Sequence, residues 1–433
     1  MRVLFVPYVL PPLQYPAALC YHKLLLGLAM QDAEIEVCHV DPASYRHFGS
    51  PALDLALASK LPQNVIYLPV SSPETGLFYR KINANPKISR LFYFLTQPTK
   101  REWIGAAKAL LARRNPRRYD AVVTCSQPNC NHLLGLWLKE NYSIPWISYF
   151  SDPWVDNPYS HLRNDAFLRA HQARMEAKVV AASDLVLFTS EETRTLVMGK
   201  YPEIPREKSG VLPHCYVPGW YRRQSGALNE AKEGAKGEGP LTMLHAGNFY
   251  GPRSPRPVID ALSELERKKG ISGRFRLRMV GGMRDADRTY AREQGVGHLI
   301  EFHPTVPYLD SLALQSRADW LLLVDAPSPD GPSVFLPSKL IDYFGSDKPI
   351  LGVTPIPGTS ARVLAEAGHP VRDLFDHAGL VEIFARIADG WIPDRPDVSA
   401  DFEVGSVGRT FLGFVERAVA RGRPLGKTAK SAR

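Results

Sequence analysis

Lys339 and Asp342 stand three residues apart in the stretch Leu336-Pro-Ser-Lys-Leu-Ile-Asp-Tyr343. The stretch follows the apolar run Trp320–Val324 and a loop holding Pro327, Pro329, Gly331 and Pro332. That spacing puts both side chains on one face of a helix whose expected N-cap is Ser338. Free backbone N–H groups at the helix start, with the Lys339 ammonium beside them, favour a phosphate. Asp342, one turn in, has the chemistry to accept hydrogen bonds from a ribose diol; the same spacing also suits a plain Lys–Asp pair on a solvated face. A second group of residues is His245-Ala-Gly-Asn-Phe-Tyr-Gly-Pro-Arg253, between an apolar run and a helical pattern. Gly247 and Gly251 let a backbone approach a ligand closely, and the Arg253 guanidinium suits a bidentate grip on a diphosphate.

The N-terminal half holds a third group. Asp152 follows the apolar run Trp146–Phe150, so it sits at a strand's carboxyl end, where parallel sheets place ligand groups. Trp154 suits either stacking on a sugar ring or filling the core. His132, at the end of Ser126-Gln-Pro-Asn-Cys-Asn-His132, reads as a structural histidine or as a polar group on the acceptor side. A lone Asp-Pro such as Asp152-Pro153 also marks ordinary turns.

Positioning these residues requires strands followed by helices. Short apolar runs at Arg2–Val6, Glu34–His39, Ala121–Thr124, Trp146–Phe150 and Leu185–Thr189 form one set. A second set is Thr242–Ala246, Arg276–Val280, Ile300–Phe302, Trp320–Val324 and Ile350–Val353. Helical patterns such as Asn131–Glu140, Ala166–Ala182, Pro257–Lys269 and Lys339–Phe344 lie between them. This alternation predicts parallel sheets covered by helices on both faces. Gln224–Pro240 has four glycines, no aromatic residue and no apolar period, so it reads as an exposed linker. The expected organisation is therefore α/β, with two Rossmann-like doubly wound domains, 1–223 and 241–403, facing across a cleft. A linker at 224–240 joins them, and a C-terminal helix and basic tail span 404–433.

Composition narrows the classes. A chain of 433 residues exceeds the ~100–200 residues of one ordinary domain. Its 45% hydrophobic and 22% charged content exclude a wholly disordered chain. The surplus of 53 Lys and Arg over 44 Asp and Glu, +9, favours acidic partners: a phosphorylated substrate, an anionic membrane face or nucleic acid. No nucleic-acid-binding motif accompanies the charge, so no nucleic-acid partner is expected. Five scattered cysteines without a CxxC pair suggest neither a disulfide framework nor a zinc site and fit a reducing cytosol. The N-terminal apolar run is too short for a signal peptide, and no stretch reaches the ~18 apolar residues of a membrane span. A cytoplasmic protein, soluble or peripheral on the membrane, is expected. Within the irregular region Tyr45–Arg118, Leu91-Phe-Tyr-Phe-Leu95 lies between Arg90 and Lys100-Arg101. Such a basic and aromatic strip suits an anionic membrane surface or a lipid-phosphate acceptor, and equally a buried helix with a solvated edge.

Taken together, the motifs Cys125–His132, Phe150-Ser-Asp-Pro-Trp154, Ala182–Ser190, Gly247–Arg253, Val280-Gly-Gly282 and Leu336–Tyr343 resemble those of GT-B glycosyltransferases, in the retaining family 4 group of bacterial surface-polysaccharide and exopolysaccharide enzymes. The resemblance spans almost the whole chain outside Tyr45–Arg118 and the tail. It implies that the C-terminal half binds a nucleotide-diphosphate sugar, with no separate cofactor, and that the N-terminal half holds a glycan or lipid-linked acceptor. It places the donor diphosphate at Arg253, Lys339 and Gly247, and the donor ribose at Asp342. The catalytic group near the donor sugar falls at Asp152, with His132 and Trp154 on the acceptor or sugar side. Val334 stands where the family's motif has its first Glu, and Pro11–Pro16 replaces the family's Gly-rich loop. Cations and helix N-termini would carry the charge of the leaving group, so metal-independent transfer is expected. The rival readings are a nucleotide-sugar epimerase on the same fold and a non-catalytic glycan- or nucleotide-binding protein.

Overall fold

A computed structural model describes residues 1–47, 53–72, 101–160, 165–221, 239–329, 331–395 and 399–422. The side chains of residues 46, 47, 101 and 102 are not described. The expected linker core, the basic tail beyond Gly422 and the strip Leu91–Leu95 with Lys100 lie outside the described residues.

The chain divides into two compact units, one of Met1–His214 together with the C-terminal helix Val404–Gly422, the other of Cys215–Glu403. In the first unit the strands are β1 (Arg2–Val6), β2 (Glu34–Val40), β3 (Ile66–Val70), β4 (Ala121–Ser126), β5 (Trp146–Phe150), β6 (Leu185–Phe188) and β7 (Ser209–Val211). They form one parallel sheet in the order β3-β2-β1-β4-β5-β6-β7. The central strands are apolar runs because helices cover both their faces: β4, β5 and β6 are buried throughout. Helices start where the sequence supplies caps. The Asp165 carboxylate accepts from Leu168 N at 3.1 Å to open Ala166–Ala182, and Ser190 Oγ accepts from Thr193 N to open Glu191–Met198. The last helix joins this unit because Gly27 and Gly408 let it lie backbone to backbone on Pro16–Ala29. Phe411 then packs edge-on against Phe5 of β1.

The second unit repeats the plan. Its strands are β8 (Leu241–Ala246), β9 (Phe275–Val280), β10 (Ile300–His303), β11 (Trp320–Val324), β12 (Ile350–Val353) and β13 (Val371–Arg372). They are all parallel, in the order β10-β9-β8-β11-β12-β13. The core is built around Met243, Leu277, Leu322, Val353 and Phe384. Residues 215–221 pack with this unit: the Tyr221 hydroxyl donates to the Asp342 carbonyl at 2.6 Å.

Both sheets are doubly wound, so each has a switch point where strand order reverses, β1/β4 in the first and β8/β11 in the second. Loops leaving the carboxyl ends there diverge and open a crevice. The ten strands expected from apolar runs all form. Three more, β3, β7 and β13, are edge strands, and the Pro69 inside β3 is tolerated because an edge can leave one N–H position unused. Ser338 is not a cap: it is the first helical residue of Ser338–Gly345, and Pro337 precedes it with no side-chain capping bond.

Candidate functional site

The β8/β11 switch point carries the charge. Gly247, directly after β8, has φ +141°, and its N–H donates to Val280 O at 2.8 Å. A Cβ there would overlap the Lys339 ammonium, so glycine is what lets that side chain lie over the β8 loop. Gly281, after β9, has φ +135° and packs against the Gly247 carbonyl. Gly282 N donates to Asn248 Oδ1 at 2.6 Å, tying the two loops together.

Onto this floor the helix Ser338–Gly345 places Lys339. Its stem is half-buried, but Nζ is out of solvent contact and has no hydrogen-bond partner. Burial, helped by the nearby Arg253 and opposed by Asp325, pushes its pKa down to about 7. Arg253 reaches the same place from the β8 loop. Its side chain is 13% exposed, its Nε is buried without a partner, and its Nη2 lies 3.5 Å from Asp325 Oδ1. The guanidinium lies 5.2 Å from the centre of the Tyr250 ring, and the Arg253 carbonyl accepts from Arg284 Nη2 at 3.2 Å. Two buried cations with unmet donors are costly in an apolar interior, so the arrangement is suited to an anion.

Two acceptors stand beside them. Asp325, directly after β11, accepts from Thr354 Oγ1 on Oδ2 at 3.1 Å. His245, the penultimate residue of β8, is fully buried with Nδ1 2.9 Å from the Leu322 carbonyl. A carbonyl only accepts, so Nδ1 carries the proton and Nε2, which has no partner, presents a lone pair. Burial first, and then the charges of Lys339 and Arg253, hold this imidazole well below its ordinary pKa. Neither residue was among the sequence-expected site residues. Asp325 carries the signal that singled out Asp152, an acid at the carboxyl end of an apolar run. His245 has no such signal, because only the fold shows its second nitrogen unpaired.

Asp342 lies one turn along the same helix but does not pair with Lys339. It is buried, and its Oδ1 accepts from the Tyr308 hydroxyl at 2.8 Å. Metal-independent transfer was expected although the sequence does hold one Asp-x-Asp spacing, Asp285-Ala-Asp287. Asp287 is buried, and its two oxygens accept from Arg256 Nε at 3.1 Å and Arg284 Nε at 2.9 Å. It braces the Arg284 that holds the Arg253 carbonyl. Among the described residues no cluster of His, Cys, Asp and Glu is arranged for a metal ion.

In the first unit the carboxyl ends of β4 and β5 meet. Ser151 Oγ donates to the Ser126 carbonyl at 2.7 Å, and the Tyr21 hydroxyl donates to the same carbonyl. Asp152 is half-buried and accepts from Gln127 Nε2 at 3.4 Å; burial raises its carboxyl above the ordinary range, against the lowering effect of Gln127 and Ser151. For His132 and Trp154 the sequence leaves a core position and an acceptor-side position both open, and their burial matches the first. His132 is fully buried, with Nδ1 2.9 Å from Thr124 Oγ1 and its ring stacked 4.6 Å from Phe150. Burial lowers its pKa to about 3. Trp154 is 4% exposed and donates from Nε1 to Gln172 Oε1 at 2.8 Å. Both are core side chains, set there by the helix Ala166–Ala182 and the Phe150 ring. Asp152 is the member of the expected group left at the surface of the loop.

Comparison with solved structures gives the fold a place. HepE of Anabaena, solved in complex with UDP and glucose, matches with a TM-score of 0.59 and 13% identity over 96% of this chain and 99% of that one. WaaG, a glycosyltransferase involved in lipopolysaccharide biosynthesis, matches with a TM-score of 0.56 and 15% identity over 97% of this chain and 95% of that one. Sucrose-phosphate synthase from Thermosynechococcus elongatus matches with a TM-score of 0.61 and 14% identity over 97% of each chain. The fold is GT-B. No protein-family model matches the chain, and no curated protein does.

Proposed function

We propose that the chain is a glycosyltransferase that moves a sugar from a nucleoside-diphosphate sugar to a glycan or lipid-linked acceptor, with retention, in surface-polysaccharide assembly. The observation that carries this reading is a pair of neighbouring cations at the β8/β11 switch point, Lys339 with Nζ over the Gly247 backbone and Arg253 beside Asp325, with Lys339 Nζ and Arg253 Nε both buried and unpartnered. Similarity to the fold of HepE, which was solved with UDP and with UDP-glucose, favours UDP as the nucleotide. Similarity to WaaG and to the lipopolysaccharide outer core galactosyltransferase WaaB favours a surface glycan.

In the reaction the bond from the anomeric carbon to the diphosphate oxygen breaks, and the electron pair leaves with the nucleoside diphosphate. Arg253 and Lys339 meet that charge at fixed positions in a site shielded from water, which makes the metal ion of other sugar-transfer enzymes unnecessary on this reading. Gly247 gives the phosphates access to the loop backbone, and Asp342 accepts from the ribose. The acceptor oxygen bonds the anomeric carbon and releases its proton. The first unit presents the acceptor, and Asp152, with its raised carboxyl pKa, is the group suited to take that proton or to steady the sugar. A lipid-linked acceptor would bring the enzyme to the cytoplasmic membrane face; among the described residues no helix is long and apolar enough to cross a membrane.

Calorimetry with UDP and with uridine tests the diphosphate assignment. Lys339→Ala or Arg253→Ala should weaken UDP by roughly ten- to a hundredfold, the worth of a charge-assisted hydrogen bond of ~1.5–3 kcal/mol, and leave uridine unaffected. Equal UDP affinity in parent and variants would remove the assignment.

A further inference from the structure

The cations at the β8/β11 switch point are not matched to a bare diphosphate. Asp325 shares their pocket. It is 5% exposed, and its backbone is fixed by the bond from its N–H to Val353 O at 3.0 Å. Its Oδ2 is committed to Thr354 Oγ1. Its Oδ1 has only the approach of Arg253 Nη2 at 3.5 Å, long for a hydrogen bond. The lone pair of His245 Nε2 is a second acceptor in the same place.

A diphosphate offers acceptor oxygens and nothing to donate. Beside it, a fixed carboxylate gains no bond, competes for Arg253 and repels the ligand's charge. The pocket is satisfied on both counts by a ligand that places a hydroxyl next to its phosphates: the phosphate oxygens take the donors of Lys339 and Arg253, and the hydroxyl donates to Asp325. A sugar esterified to a diphosphate has this chemistry. We propose that Asp325 is a specificity-determining residue that accepts a hydrogen bond from a hydroxyl of the sugar carried on the diphosphate, so that the site prefers the sugar nucleotide to its nucleoside diphosphate.

This proposal rests on the assignment of Lys339 and Arg253 to the diphosphate. It gives the carboxylate a role in turnover as well. Once the sugar has gone, the departing nucleoside diphosphate faces Asp325 without the hydroxyl, which weakens product binding.

The test is calorimetric titration of the full chain and of Asp325→Ala and Asp325→Asn with UDP, UDP-glucose, UDP-galactose and UDP-N-acetylglucosamine. The Asn variant keeps the side-chain shape and the Thr354 partner, so it remains informative should the Ala variant fold poorly. The parent should bind at least one UDP-sugar roughly tenfold more tightly than UDP, as expected when a site's buried polar group is satisfied by one ligand and not the other. In the variants that ratio should fall to within about twofold, with UDP itself bound no more weakly than by the parent. A ratio unchanged in the variants, or a parent that prefers no UDP-sugar, overturns the role of Asp325 and leaves the diphosphate assignment standing. A parent that binds neither UDP nor any UDP-sugar overturns the diphosphate assignment, and the role of Asp325 falls with it.

Discussion

The two units share a doubly wound plan, yet the polar groups at the carboxyl ends of β4 and β5 and those at the β8/β11 switch point are arranged differently. At β4 and β5 the groups are neutral apart from Asp152, and most of them answer one another. Ser151 and Tyr21 share the Ser126 carbonyl, Gln127 reaches Asp152, and Thr124 meets Nδ1 of the buried His132, whose neutral Nε2 is left without a partner. At β8 and β11 the charged groups are left wanting, with Lys339 Nζ and Arg253 Nε buried and unpartnered. A doubly wound sheet therefore supplies a crevice but not its polarity. That is decided by which side chains the strand ends carry. On the proposed reading the first unit is the one to take a hydroxyl-bearing acceptor beside its one carboxylate, and the second the one to take an anion.

The sharpest way to break this division of labour is Asp152→Asn. If the first unit contributes chemistry and the second contributes donor binding, transfer from UDP-glucose to acceptor should fall by about a hundred- to ten-thousandfold, the usual range for a positioned acid or base. The UDP dissociation constant should stay within about twofold. Radiolabelled sugar transfer measured beside calorimetry separates the two. A variant that loses UDP affinity in proportion to its rate would show that Asp152 serves donor binding, and the contrast between the units would fail.

How much of that contrast the sequence discloses depends on the range of the contacts. Apolar runs marked ten of the thirteen strands among the described residues, because a strand buried on both faces by its neighbours must be apolar along its length. They missed β3, β7 and β13, edge strands that need less apolar surface. Lys339, Arg253 and Gly247 could be singled out because each stands in a strand-to-helix loop or in the first turn after one, where the chemistry is local. Asp325 shows the same local mark and was passed over. His132 and Trp154 stay open between core and acceptor side because their burial is decided by Phe150 and by Gln172 on a later helix, and no spacing rule reports such contacts. The bond between Asp342 and Tyr308 likewise joins residues 34 apart in sequence.

A middle-sized effect comes from the protonation of Lys339. Burial lowers its pKa to about 7 in the ligand-free protein, and a bound diphosphate favours the charged ammonium. UDP should therefore bind with proton uptake, and its affinity should fall between pH 7 and pH 9, by at most about tenfold per unit where one proton is taken up. Calorimetry in buffers of different ionisation enthalpy reads the uptake directly. The effect on stability runs the other way. An unfolded lysine keeps its proton up to its ordinary value of 10.5, while the folded one loses it near 7, so the unfolded state binds more protons across that window. The penalty that Lys339 imposes on folding is present in full below pH 7 and is relieved as pH rises towards 10.5. Lys339→Met should remove both the proton uptake and this rise in stability. Proton uptake that persists in the Met variant would place the titrating group elsewhere.

The smallest effect expected is at Asp342, and it decides whether the second unit binds nucleoside as well as phosphate. A carboxylate has about four lone-pair sites, so the bond from the Tyr308 hydroxyl to Oδ1 does not exhaust it, and a ribose hydroxyl can be accommodated by the same group. Asp342→Asn keeps the side-chain shape and an oxygen for Tyr308, and it removes the charge that strengthens a hydroxyl's bond. UDP affinity should fall about three- to tenfold, a net ~0.7–1.4 kcal/mol, within the range of a single hydrogen bond. Inorganic pyrophosphate, which has no ribose, should bind parent and variant alike. Should Asp342 serve only to tie the helix Ser338–Gly345 to Tyr308, both ligands would bind unchanged and the variant would instead melt at a lower temperature. A loss shared equally by UDP and pyrophosphate would move Asp342 from the ribose to the support of Lys339, one turn away on the same helix.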